Sequence, residues 1–201
     1  MIKLKSSLQS KMGAILERAG IIKPQRAAIF SVWEIEHYRP NPVTGEMDLL
    51  STEKVHNLVT NEGLDDILDV YFTSGDQKTA WYVCIFDDDY TVLATNDYGA
   101  KGFSESTDYD ESTRPAWTGG TVSGQSVDNS ASKATFTMNA TTDIYGAALV
   151  GGTDAATKNN STDPGTPIPN KMYCSAQFSA MKSVVDDDVL KVTVTLTASS
   201  V

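Results

Sequence analysis

Two histidines, two cysteines and three short carboxylate runs are the residues of this 201-residue chain whose types could carry chemistry. His37 and His56 fall in neighbouring apolar stretches. Lacking a third ligand at a recognisable spacing, they read as polar side chains on paired strands, where they could meet across a hairpin, and not as a metal site. Cys84 and Cys174 sit far apart in the apolar runs AWYVCIF and KMYCSAQF, outside any metal-ligand spacing, which makes them buried free thiols. The acidic groups are Asp87, Asp88 and Asp89; Asp108, Asp110 and Glu111; and Asp186, Asp187 and Asp188. Their oxygens could serve calcium, but none has the EF-hand spacing with its central Gly and terminal Glu, so solvated turns are expected. No nucleophile elbow, P-loop or dinucleotide fingerprint occurs, and GGTVSGQS lacks the Lys and the helix that phosphate binding requires. The chain therefore reads as non-enzymatic, with no cofactor and no metal.

The elements that would position these residues are mostly strands. Apolar residues make up 40% of the chain, and Thr, Ser, Asp and Asn crowd the stretches between short apolar runs. Over residues 29–39, Ile29, Trp33 and Ile35 share one face while Glu34 and Glu36 share the other. PNPVTGE then turns the chain, and residues 47–58 return as the partner strand. TNEGLDDILDVYF predicts a helix over 61–72, capped by Thr60 or Asn61, with Glu62, Asp65 and Asp66 at its positive end. Leu64, Ile67, Leu68 and Tyr71 mark its expected core face. Further strands are expected over 81–86, 90–94, 134–138, 144–150, 172–180 and 189–198. The aromatic-bearing stretch 98–117 is expected to be a long ordered excursion, since its rings need burial. Many short strands with turn clusters, and no internal repeat, indicate an antiparallel β-sandwich or jelly-roll-like body over 27–201. Its expected core is Trp33, Ile35, Leu64, Leu68, Trp81, Val83, Ile85, Phe136, Leu149, Phe178, Val192 and Val194.

Charge divides the chain in two. Residues 1–26 hold six basic side chains, Lys3, Lys5, Lys11, Arg18, Lys23 and Arg26, against one acid, Glu17. That local excess of five positive charges, within a net charge of −10, leaves a net charge of −15 on the rest. The balance disfavours a nucleic-acid binder and gives a basic arm on an acidic body. Leu4, Leu8, Met12, Ile15, Ala19 and Ile22 recur at steps of four and three, predicting an amphipathic helix that Gly20 and Pro24 stop. Its stripe needs a cover. The body, a neighbouring subunit and a membrane surface all fit, and the neighbouring subunit is the expectation. The opening residues are too often interrupted by Lys and Ser for a secretory signal, and no window approaches the roughly 18 apolar residues of a membrane span.

Four stretches, in order NLVTNEGLDDILDVYF, AWYVCIF, FSESTDYDESTRPAW and IYGAALVGG, resemble a family of tailed-bacteriophage virion proteins. That family has an NxVTNxGL helix, a WYVGL-like strand, a W/FxExxxYxExxRP loop and an IxGAFLV-like strand. The resemblance covers about residues 33–152. It departs from the pattern at Cys84, where the family often has Gly, and in the amino-terminal helix. It implies a phage-particle component and brings no catalytic residues.

The expectation is an accessory capsid protein that decorates or cements the shell, made in the host cytoplasm and resident in the virion. Its partners would be other virion proteins, the major capsid protein first, and further copies of itself, without nucleic acid or membrane. The expected interface is Lys3, Leu4, Lys5, Leu8, Lys11, Met12, Ile15, Arg18 and Ile22, and the expected recognition loop presents Tyr98, Phe103, Tyr109 and Trp117. The alternative is a tail, fibre or head-to-tail connector that uses that loop on a host surface or carbohydrate.

Overall fold

Alternation of apolar and polar side chains over the first strand buries Trp33, Ile35 and His37 and leaves Glu34 and Glu36 half-exposed. This strand, β1 (Ala27–Pro40), pairs antiparallel with β2 (Met47–His56). The turn between them closes through the Asn41 amide donating to Glu46 O at 2.7 Å, with Gly45 at a positive φ of 74°. The computed structural model describes residues 27–165 and 168–200. The arm expected over 1–26, with all its interface residues, lies outside the described residues.

The remaining elements are β3 (Leu58–Val59), α1 (Asn61–Leu68) continuing as a π-helical turn (Asp69–Thr73), β4 (Trp81–Phe86), β5 (Ala116–Trp117), β6 (Ser126–Asp128), β7 (Ala134–Thr137), β8 (Thr142–Gly151), β9 (Lys171–Val184) and β10 (Val189–Ser200). They form two antiparallel sheets. One runs β2-β1-β10-β6, with β7 following β6 along β10, and the other runs β3-β9-β8-β4-β5. Ile29–Thr197 make one compact unit. Its main core joins Trp33, Ile35, Phe136, Leu190, Val192 and Val194 of the first sheet to Val83, Ile85, Leu149, Cys174 and Phe178 of the second. Among the described residues no helix is long and apolar enough to cross a membrane.

The second sheet is covered on both faces, which is why β4 reads as a continuous apolar run. Val83 and Ile85 enter the main core, while Cys84 and Phe86 enter a second cluster with Tyr98, Phe103, Ala148, Val150, Ala155 and Met172. The cover comes from the connections 87–115 and 152–165. The strand expected over 90–94 is absent from this cover. There the Tyr90 amide donates to Asp88 O and the Leu93 amide to Asn96 Oδ1, while Ala94 O accepts from the Asn61 amide of α1, so no neighbouring strand pairs with it.

The helix forms where expected but turns a different face inward. Thr60 caps it, its hydroxyl accepting from the Gly63 amide at 2.9 Å and donating to Met172 O of β9 at 2.5 Å. Gly63 then lies flat on β9, so close that a Cβ there would come within 2.4 Å of Tyr173 O. This contact puts Gly63 and Ile67 toward the core and rotates the expected core residues Leu64 and Leu68 outward, 38% and 55% exposed. Trp81 is half-buried at the rim of the main core, against Tyr173. The other expected core residues are buried.

Candidate interaction surface

The side chains expected to form a recognition loop are mostly interior. Tyr98, Phe103 and Tyr109 are buried, and Trp117 is half-buried with its indole Nε1 donating to Val194 O at 3.1 Å. Phe103 stacks on Phe86 at 4.5 Å between centroids, and Tyr109 meets Phe136 edge-on at 5.0 Å. These rings anchor the excursion to the body, because their apolar area is better placed against β4 and β7 than in water. Tyr98, Phe103 and Tyr109 therefore do not offer a partner surface.

What fixes the excursion is an ionic cluster that sequence reading missed. Arg114 is fully buried, and all five of its guanidinium donors are satisfied. Nε and Nη2 form a fork on Glu105 at 2.7 and 2.5 Å, Nη1 reaches Tyr98 Oη at 3.0 Å and Ala155 O at 2.8 Å, and Nη2 also reaches Asn160 O at 2.9 Å. Lys101 adds a second cation, donating to Glu105 Oε2 at 2.9 Å and to Asn160 O at 2.8 Å. Burial pulls the Glu105 carboxyl upward, but the hydrogen bonds and charges of Arg114 and Lys101 outweigh it and hold it below the ordinary range. The cluster is buried and presents no open face to a substrate. The four-residue spacing of Lys101 and Glu105 was its one signal in the sequence.

Several of the other candidate residues also have structural partners. His37 and His56 do not meet across the hairpin, since His37 stands opposite Ser51 and His56 opposite Val32. His37 Nε2 contacts buried Asp188 Oδ2 at 2.8 Å, and Arg39 adds a fork on the same carboxylate at 2.8 and 2.7 Å. This ties the turn between β9 and β10 to β1. Burial pulls the Asp188 carboxyl upward, and the hydrogen bonds of Arg39 and His37 outweigh it, leaving it below the ordinary value. Burial alone pushes Cys174 up to about 12, while burial and then the Glu105 charge do the same for Cys84. Both thiols are free and buried. Asp88 accepts from the Ser104 amide, Asp89 from Gln177, and Glu111 from the Thr137 amide. Among the described residues no three metal-ligating side chains are grouped to hold an ion.

The exposed face of α1 and its π-helical turn is different in kind. Leu64, Leu68, Tyr71 and Phe72 form one exposed stripe, the last two 78% and 79% exposed. Exposed Asp65 and Asp69 flank it. Beyond them a cleft of about 480 Å³ is bordered by Glu62, Asp65, Asp66, Asp69, Asp97 and Lys171. Glu62 pairs with Lys171 and Asp66 with Lys78, whereas Asp65, Asp69 and Asp97 have no ion-pair partner among the described residues. The element is held firmly, for Glu62 Oε2 accepts from the Tyr98 and Met172 amides at 2.8 and 2.7 Å. An apolar stripe with an acidic border on an anchored helix can bind a basic amphipathic partner. No family model, curated protein or solved structure matches the chain.

Proposed function

We propose that this chain is a structural component of a tailed-bacteriophage virion, an accessory protein that decorates or cements the capsid shell. Its body is read as a β-sandwich, on the ground that both sheets contribute to one core. The observation that carries an assembly role is the stripe Leu64, Leu68, Tyr71 and Phe72, exposed on a helix that is capped, ion-paired and fastened to β9. Four large apolar side chains on an anchored element favour a protein partner, because their exposure has no compensating mobility. The virion setting comes from the ordered resemblance over residues 33–152. The basic segment 1–26 supplies a second contact, to a neighbouring subunit of the particle, and repetition over the particle makes weak contacts act together. The protein would be made in the host cytoplasm and retained in the virion, in a structural and not a catalytic role.

Electron cryomicroscopy of particles assembled with the chain tests this reading. Density for it on the shell, repeated with capsid symmetry, is the expected result. Density confined to one vertex or to the tail would replace decoration by a connector or tail role, and its absence from purified particles would overturn the proposal.

A further inference from the structure

The acidic, apolar stripe of α1 and the basic, apolar segment at the amino terminus are complementary halves carried by one chain. On the body, Leu64, Leu68, Tyr71 and Phe72 are spaced by four, three and one residues, with Asp65 and Asp69 beside them. In residues 1–26, Leu4, Leu8, Met12 and Ile15 recur at four, four and three, accompanied by a local excess of five positive charges. A helix of about 20 residues is marginal alone in water, so such a segment gains order by covering an apolar partner. Two apolar stripes can bury each other, and opposite charges along their borders set the orientation and speed the encounter.

We propose that α1 and its π-helical turn in one copy receive the amino-terminal segment, residues 3–22, of a second copy. The inference rests on the assembly reading above and names a contact within it. Each copy then donates one segment and receives another, a head-to-tail contact that closes into a ring or continues from copy to copy.

The test is sedimentation of the full-length chain over a range of concentrations at low and high salt. Association that weakens with salt is expected. Leu68→Asp should weaken it by about tenfold or more, as loss of a central apolar anchor does. Asp65→Lys with Asp69→Lys should weaken it as well, and adding Lys5→Glu with Lys11→Glu to that same chain should restore it. Mixing a receiver-defective chain (Leu64→Asp, Leu68→Asp) with a donor-defective one (Leu8→Asp, Met12→Asp) should give a two-copy complex and nothing larger. All eight altered body and segment positions can be checked for folding by their thermal midpoints, and the charge reversals keep the test readable if an Asp variant unfolds. A chain that stays monomeric at every concentration, or whose association ignores both Leu68→Asp and the charge reversals, overturns the contact. The wider reading is judged separately: loss of self-association with normal incorporation into particles removes this contact alone, whereas absence from particles removes the virion role.

Discussion

Replacing Arg114 by Met tests whether the buried ionic cluster holds the long connection after β4 in place. The substitution keeps most of the side-chain volume but removes all five donors, leaving Glu105 buried with Lys101 as its remaining cation. Tyr98 Oη and Ala155 O also lose their partner. Breaking a buried ion pair from one side costs about 3–5 kcal/mol, and we expect about 4 kcal/mol here, since Lys101 still offsets part of the Glu105 charge. Against a typical total of about 5–15 kcal/mol this is a large fraction, and it corresponds to a fall of about 8–16 °C in Tm for a chain of this size. Urea unfolding followed by the fluorescence of Trp33, Trp81 and Trp117 at neutral pH measures it. The double variant Arg114→Met with Glu105→Gln should lose less than the two single variants together, by about 1–3 kcal/mol, because no unpaired carboxylate remains. A loss below about 1 kcal/mol for Arg114→Met, or strict additivity in the double variant, would refute the account of the cluster.

Three further outcomes follow from the same structure. Gly63→Ala should destabilise by about 1–3 kcal/mol despite the better helix propensity of Ala, because its Cβ would meet Tyr173 O, whereas exposed Leu68→Ala should stay within about 0.5 kcal/mol; thermal melts of the two variants decide it. Glu105 and Asp188 both titrate below their ordinary values when folded, so their contribution is complete above the unfolded pKa near 4 and disappears as pH falls through the folded values. Urea midpoints should accordingly be level from about pH 5 to 7 and fall steeply below about pH 4, and a midpoint that rises on acidification would contradict this. Cys84 and Cys174, each pushed up to about 12, should resist a thiol reagent in the folded protein and both react in denaturant; fast labelling of either in the native state would show that strand β4 or β9 opens readily.

Much of the fold was legible because it depends on local pattern. Alternation around Trp33 and Ile35 marked β1, and Pro, Asn and Gly marked the hairpin turn. The continuous apolar run of β4 marked a strand, and Thr60 with Glu62 marked the start of α1. These signals act between residues a few positions apart, so the sequence contains both partners of each. The orientation of α1 was not of this kind. The face expected inside was Leu64, Ile67, Leu68 and Tyr71, whereas the face that packs holds Gly63 and Ile67, so only Ile67 is common to both. The choice is made by β9, distant in the chain, where the Tyr173 backbone admits only a glycine and Met172 O receives the Thr60 hydroxyl. The aromatic excursion divides in the same way. Its composition showed that Tyr98, Phe103 and Tyr109 needed burial, but not that the body would take them in. Nor could spacing reveal that Arg114 would find Glu105, Tyr98 and two carbonyls at once, since its five donors are satisfied only where four residues from two separate connections converge on it. Residue order alone thus determined the hairpin, the helix and most of the long strands, while tertiary packing decided that 90–94 forms no strand, that β5 and β6 do, and which faces are covered, because strand pairing and burial depend on neighbours that the chain brings from far away.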